Sequence, residues 1–151
     1  MDKTYSVNKK AAFDYEILDR VEAGLVLTGP EVKSIRAKQV SLKGGFVVFS
    51  GQRASLINVH IPKYKFAGGL KNYDPERSRQ LLLKERELNY LRGKSQDQGL
   101  TIIPLSMYNK GRHIKLEVGV ARGKKKYDKR EAIKKRETNR EIKKKLKIVN
   151  W

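Results

Sequence analysis

Apolar residues along the chain follow a period of two in some stretches and a helical period in others, and the change of period marks out the elements. In residues 13–27, Phe13, Tyr15 and Ile17 alternate with charged neighbours, and Val21 and Leu25-Val26-Leu27 carry the strand pattern on. Thr28-Gly29-Pro30-Glu31 has the spacing of a capping box with proline in the first turn, so a helix starts there. That helix turns Val32 and Ile35 inward and leaves Lys33, Arg36 and Lys38 outside. Gly44-Gly45 opens a second strand, Phe46-Val47-Val48-Phe49. Ser50-Gly51-Gln52 turns the chain, and residues 54–61 form a third strand. Residues 62–74 are a long loop, and such a loop in a small domain is more often functional than idle.

Asp74-Pro75-Glu76 has the N-cap and Pro-at-N1 signature of another helix, with Leu81-Leu82-Leu83, Leu88 and Leu91 as its apolar face and Gly93 as its stop. Three adjacent leucines cannot share one helix face, which predicts a bend near Lys84. One of the three, Leu82, is expected to point outward. Residues 100–108 and 114–121 are two more strands, joined by the hairpin signal Asn109-Lys110-Gly111-Arg112. Five strands with inserted helices in a chain of 151 residues predict a mainly β fold, an OB-like antiparallel β-barrel, closed or partly open. The expected organisation is a basic, mobile lead-in over residues 1–12, the barrel over 13–122 and a basic tail over 123–151.

Charge narrows the partners. Lys and Arg number 35 against 16 Asp and Glu, a formal net charge of +19. The last 30 positions, from Arg122 to Trp151, hold 14 basic and 4 acidic residues. A segment of that composition buries too little apolar surface to offset its ordering entropy, so the tail is expected to be disordered on its own. Ile142, Leu146 and Val149 lie at i, i+4 and i+7, one narrow stripe that orders as a helix only where the surrounding charge is neutralised. An excess of this size is the footprint of a polyanion, and nucleic acid fits better than membrane because the tail has too few apolar positions for an interfacial helix.

Catalytic signatures are missing. The chain has no cysteine, which removes disulfides, thiolate metal sites and thiol nucleophiles. No apolar run approaches the roughly 18 residues of a membrane span, and the polar start lacks a signal-peptide core, so a soluble, cytoplasmic protein is expected. Phosphate-loop, dinucleotide, zinc-protease and nucleophile-elbow motifs are all absent. Gly123-Lys124-Lys125 echoes the end of a phosphate loop without its upstream glycine or hydroxyl residue. His60 and His113, the two histidines, leave one enzymatic alternative, a ribonuclease using them as acid and base. No metal, cofactor or small-molecule substrate is expected.

Binding features are stronger. Tyr5, Tyr15, Tyr64, Phe66, Tyr73 and Tyr127 interleave with lysines and arginines, so rings are available to stack on unpaired bases while cations meet phosphates. Phe13, Phe46 and Phe49 are assigned to the core. Glu22 stands out because a carboxylate near RNA repels phosphate, yet it accepts hydrogen bonds from base donors, which no lysine can do.

Four segments together resemble the SmpB family, the protein partners of transfer-messenger RNA in bacterial ribosome rescue. They are Asn8-Lys9-Lys10-Ala11, residues 22–36, residues 74–83 and the block Gly123-Lys124-Lys125-Lys126-Tyr127-Asp128-Lys129-Arg130. The resemblance implies an OB-like barrel with embedded helices, a basic disordered tail and no catalysis. It implies RNA contacts at Asn8, Glu22, Arg36 and Leu82, with Lys9, Lys33 and Lys124 meeting phosphates. It also implies a tail that becomes helical on the ribosome and reads the empty decoding centre and mRNA channel through Gly123, Lys124, Lys125, Tyr127, Asp128, Lys129 and Arg130, with Ile142 and Leu146 on the helix stripe. The implied partners are transfer-messenger RNA and ribosomal RNA. A ribosomal protein or translation factor on the same barrel, binding ribosomal RNA directly, is the rival reading.

Overall fold

The computed structural model describes residues 3–66, 72–124, 136–137 and 140. Seven strands form one antiparallel sheet: β1 Thr4–Val7, β2 Tyr15–Leu25, β3 Phe46–Ser50, β4 Arg53–Ile57, β5 Arg79–Leu82, β6 Leu100–Lys110 and β7 His113–Gly123. Their order across the sheet is β1-β6-β7-β2-β5-β4-β3. Three helices are inserted: α1 Lys9–Asp14, α2 Gly29–Arg36 and α3 Glu85–Ser95. The sheet curls until β3 lies beside β6, but no ladder joins them among the described residues, so the barrel is partly open. Close approach of the two walls is set at Gly45, where an added Cβ would stand 2.6 Å from Val59 Cγ2 and 3.0 Å from Pro104 Cγ.

Strand pattern and core agree most clearly in β7, where Ile114, Leu116, Val118 and Val120 are buried and Lys115 and Glu117 alternate with them on the other face. Ile35 of α2 and Leu88 and Leu91 of α3 join this core from outside the sheet. Among the described residues no helix is long and apolar enough to cross a membrane.

The structure departs from expectation in several places. Within the expected mobile lead-in over residues 1–12, β1 pairs with β6, and Asn8 caps α1. The order there comes from a distant strand, which a polar local sequence cannot announce. Phe13 and Asp14 accordingly belong to α1, and β2 begins at Tyr15.

Residues 74–82 are not helical. They form a turn and then β5, and the helix starts only at Glu85, after Lys84, whose amide donates to Glu87 Oε1 at 3.3 Å. Period two decides the leucine triplet: Arg79 and Leu81 are buried and Leu82 is 53 % exposed. The expected break near Lys84 is thus the boundary between a strand and a helix.

Phe46 is not a core residue, because Val47 takes the inward position of β3 and turns its neighbours out; Phe13 and Phe49 are half-buried. The sheet also outruns the expected boundary at 122: Gly123 pairs with Tyr15, and the Lys124 amide donates to Asp14 O at 2.9 Å. The tail residues Lys125, Tyr127, Asp128, Lys129, Arg130, Ile142 and Leu146 lie outside the described residues.

Candidate RNA-binding surface

The site is built on a buried ionic anchor. Thr28 and Glu31 form both halves of the capping box that the sequence predicted, with the Thr28 amide donating to Glu31 Oε1 at 3.0 Å and the Glu31 amide to Thr28 Oγ1 at 3.3 Å. Glu31 is fully buried, and β5 answers its charge: Arg79 Nε donates to Glu31 Oε2 at 2.8 Å, and Arg77 pairs with Oε1. Arg79 is equally buried and spends its other donors on Val59 O at 2.7 Å and Pro75 O at 2.9 Å. Burial pushes the Glu31 carboxyl up, but the Thr28 amide and the two guanidinium groups outweigh it and hold the group below the ordinary carboxylate value. This network locks α2 against β5.

Between those two elements lies a groove of about 220 Å³. Leu82 projects into it from β5, opposite Gly24 of β2, where a Cβ would come within 3.2 Å of Leu82 Cβ. Glycine at 24 therefore lets the leucine lie across the strand. Arg36 of α2, Arg112 of the hairpin and Lys115 of β7 complete the rim. None of these three forms an ion pair with a carboxylate among the described residues, and Arg36 reaches only Arg112 O at 3.4 Å. An exposed apolar side chain framed by cations matches a nucleic acid better than a small apolar ligand.

Glu22 stands two residues before Gly24 on the same face of β2. Its Oε2 accepts from the Tyr108 hydroxyl, and its Oε1 meets Lys110 Nζ at 3.2 Å. The tyrosine bond, with help from Lys110, holds the Glu22 carboxyl below its ordinary value, so it stays an acceptor near neutral pH. Lys33, on the outer side of α2, has its ammonium 5.6 Å from the Tyr64 ring centre.

Other expected contacts gather at the far end of β2, roughly 30 Å away along an eleven-residue strand. Asn8 there is buried. Its Oδ1 accepts from the Ala11 amide, and its Nδ2 donates to Pro104 O at 2.9 Å and Leu42 O at 3.3 Å. With both donors used inside the protein, Asn8 positions α1 and so presents Lys9 and Lys10, which are exposed. Lys124 Nζ donates to Ala12 O at 3.2 Å, at the C-terminal end of α1 where a cation is favoured.

The structure brings Arg36 and Leu82 to one groove with Glu22 beside it and sets Asn8, Lys9 and Lys124 apart as a separate group. The sequence reading missed Arg112 and Lys115, which line the groove, and Tyr108, which holds Glu22; only the pairing of β6, β7 and β2 brings them there. Of the two histidines, His60 Nδ1 stands 3.8 Å from Glu76 Oε1 and His113 lines the groove, and they share no hydrogen-bond partner among the described residues.

A curled antiparallel sheet carrying a cation-rimmed groove points to a nucleic-acid-binding β protein. The comparisons with known proteins narrow that class. Residues 5–148 match the SmpB protein family. The chain is 53 % identical over 146 residues to an SsrA-binding protein of Limosilactobacillus reuteri, covering 97 % of this chain and 92 % of the relative. It is 49 % identical over 143 residues to that of Streptococcus uberis, covering 95 % and 92 %. It is also similar to a solved chain described as "tmRNA-SmpB: a journey to the center of the bacterial ribosome", with a TM-score of 0.68, 42 % identity, and 85 % and 93 % of the two chains covered. The chain belongs to the SmpB family.

Proposed function

We propose that this protein binds the tRNA-like domain of transfer-messenger RNA and delivers that RNA to stalled ribosomes. The observation that carries the reading is the groove itself: a half-exposed leucine, three cations and a braced carboxylate on one surface of a chain half identical to SsrA-binding proteins. Arg36, Arg112 and Lys115 supply phosphate contacts, which set affinity without reading sequence. Leu82 packs against the RNA surface, and Glu22 accepts hydrogen bonds from base or ribose donors, so the two select an RNA shape that a uniform cationic face would not. Lys9 and Lys10, held by Asn8, form a second cationic face at the other end of β2, together with Lys124.

The protein works by binding, not catalysis. The tail enters the decoding centre and the vacant mRNA channel, where Lys125, Lys129 and Arg130 meet phosphates, Tyr127 stacks on a base, and a helix ordered by Ile142 and Leu146 forms as the RNA walls neutralise its charge. The site of action is the cytoplasm, on the ribosome.

The test is recovery of RNA bound to the full-length protein from bacterial cells. One abundant tRNA-like species supports the reading. Ribosomal RNA alone would indicate a ribosomal protein, and shortened fragments would indicate a nuclease. Truncation after Lys124 separates the two halves of the proposal: RNA binding is retained and peptide tagging is lost.

A further inference from the structure

The loop after β4 carries an exposed aromatic pair that the groove does not use. Phe66 is the most exposed of the large apolar side chains described, at 76 %, while Tyr64 is half-buried. The rings meet edge to face, 5.6 Å between centres and 68° between planes. That geometry uses an edge rather than the flat faces of both rings. Lys33 Nζ lies 5.6 Å from the Tyr64 ring centre and Lys65 Nζ 5.5 Å from that of Phe66. Lys63 adds a third exposed cation within the same short stretch, and positions 62–66 include no carboxylate.

Isolated exposed aromatics are commonplace, but a pair clasped by lysines has the makeup of a base-stacking platform. Its place in the fold extends the same surface. Lys33 and Arg36 sit on one short helix, so the cationic surface runs from the Leu82 groove across α2 to the aromatic pair. Ser34 Oγ donates to Pro62 O at 2.8 Å, and the Tyr73 hydroxyl donates to Ile61 O at 2.7 Å, which fix the loop's root against that helix and the anchor.

We propose that Tyr64 and Phe66 form a stacking platform that takes one unpaired base of the tRNA-like domain, with Lys33 and Lys65 holding the flanking phosphates. This rests on the reading that the groove binds that RNA, and adds a second point of attachment to it. A rigid groove and a stacked base at the edge of the same surface would resist rotation of the RNA about the groove.

The experiment titrates the full-length protein and its Phe66→Ala, Phe66→Trp, Lys65→Ala and Leu82→Ala variants with the isolated tRNA-like domain at several salt concentrations, alongside chemical probing of its unpaired bases. Phe66→Ala is expected to weaken binding about 5- to 150-fold with the salt slope unchanged, and Phe66→Trp to retain wild-type affinity. Lys65→Ala should lower the slope by about one ion. One unpaired base should be protected by the wild type and released in Phe66→Ala. Unchanged affinity and unchanged protection in Phe66→Ala, with Leu82→Ala weakened, would overturn the platform and leave the groove standing. If the wild type itself fails to bind the domain, the reading of the groove falls with it.

Discussion

Two carboxylates in this protein are each held by a hydroxyl or amide donor and by cations, yet they do opposite work. Glu31 is sealed between α2 and β5, with every bond turned inward to Thr28, Arg77 and Arg79. Glu22 sits on the surface of β2 with Tyr108 and Lys110 on one side and solvent on the other; its side chain is 38 % exposed. Burial is the difference. A sealed pair cannot exchange partners without leaving a bare charge in the interior, so it fixes geometry. A braced but open carboxylate keeps lone pairs for an incoming donor, so it can recognise one.

The strongest way to break that contrast is to remove a sealed partner. Arg79→Met leaves the buried Glu31 Oε2 without its cation, with only Arg77 still pairing the carboxylate, and is expected to cost about 3–5 kcal/mol, a fall of roughly 10–20 °C in melting temperature by thermal denaturation. The same anchor has a pH signature. Glu31 is held below its ordinary value of 4.5 in the fold, so its contribution is complete above that pH and is lost as the pH falls through the folded value. Melting curves from pH 7 down to 3 should therefore slope less in Glu31→Gln than in the wild type.

Asn8→Ala comes next. It removes the α1 cap and leaves Leu42 O and Pro104 O without their donor, an expected loss of about 2 kcal/mol in denaturant titration. Any fall in RNA affinity should follow the stability loss and be recovered at lower temperature, because Asn8 acts through the helix that carries Lys9 and Lys10. The open carboxylate should show the reverse. Glu22→Ala is expected to leave melting within a few degrees and to weaken binding to the tRNA-like domain about tenfold, with binding to unrelated RNA equal or slightly tighter, as read by competition titration. Lys33→Ala, the mildest change, should weaken all RNA together and lower the salt slope by about one ion.

The contrast also explains what was legible in the sequence. The Thr28–Glu31 capping box is local, and both of its bonds are present, but nothing within the helix tells that Glu31 answers Arg79, 48 positions on. The helix signature at Asp74-Pro75-Glu76 misled for that same reason. A buried arginine breaks the hydrophobic alternation of β5, and its burial is licensed only by a carboxylate on another element. Leu82 came from the resemblance, since a leucine triplet does not say which member turns outward; period two in β5 decides that it is Leu82. The start of the chain, read as a lead-in over residues 1–12, holds β1 because β6 supplies its partner from about a hundred positions away. Glu22 and Arg36 were found by their chemistry and their place in a resemblance, while Lys115 and Arg112 looked like ordinary hairpin charges until β7 was paired beside β2.

The central claim is that the groove around Leu82 is a binding surface rather than part of the fold's support, and one paired measurement tests it. Leu82→Ala in the full-length protein is assayed for melting temperature and for affinity to the tRNA-like domain of transfer-messenger RNA at physiological salt. The expected result is an affinity about tenfold weaker at a melting temperature within two or three degrees of the wild type, since the side chain is half exposed and its neighbour Leu81 carries the core contact. Unchanged affinity, or a loss of affinity that merely follows a large fall in melting temperature, would contradict it.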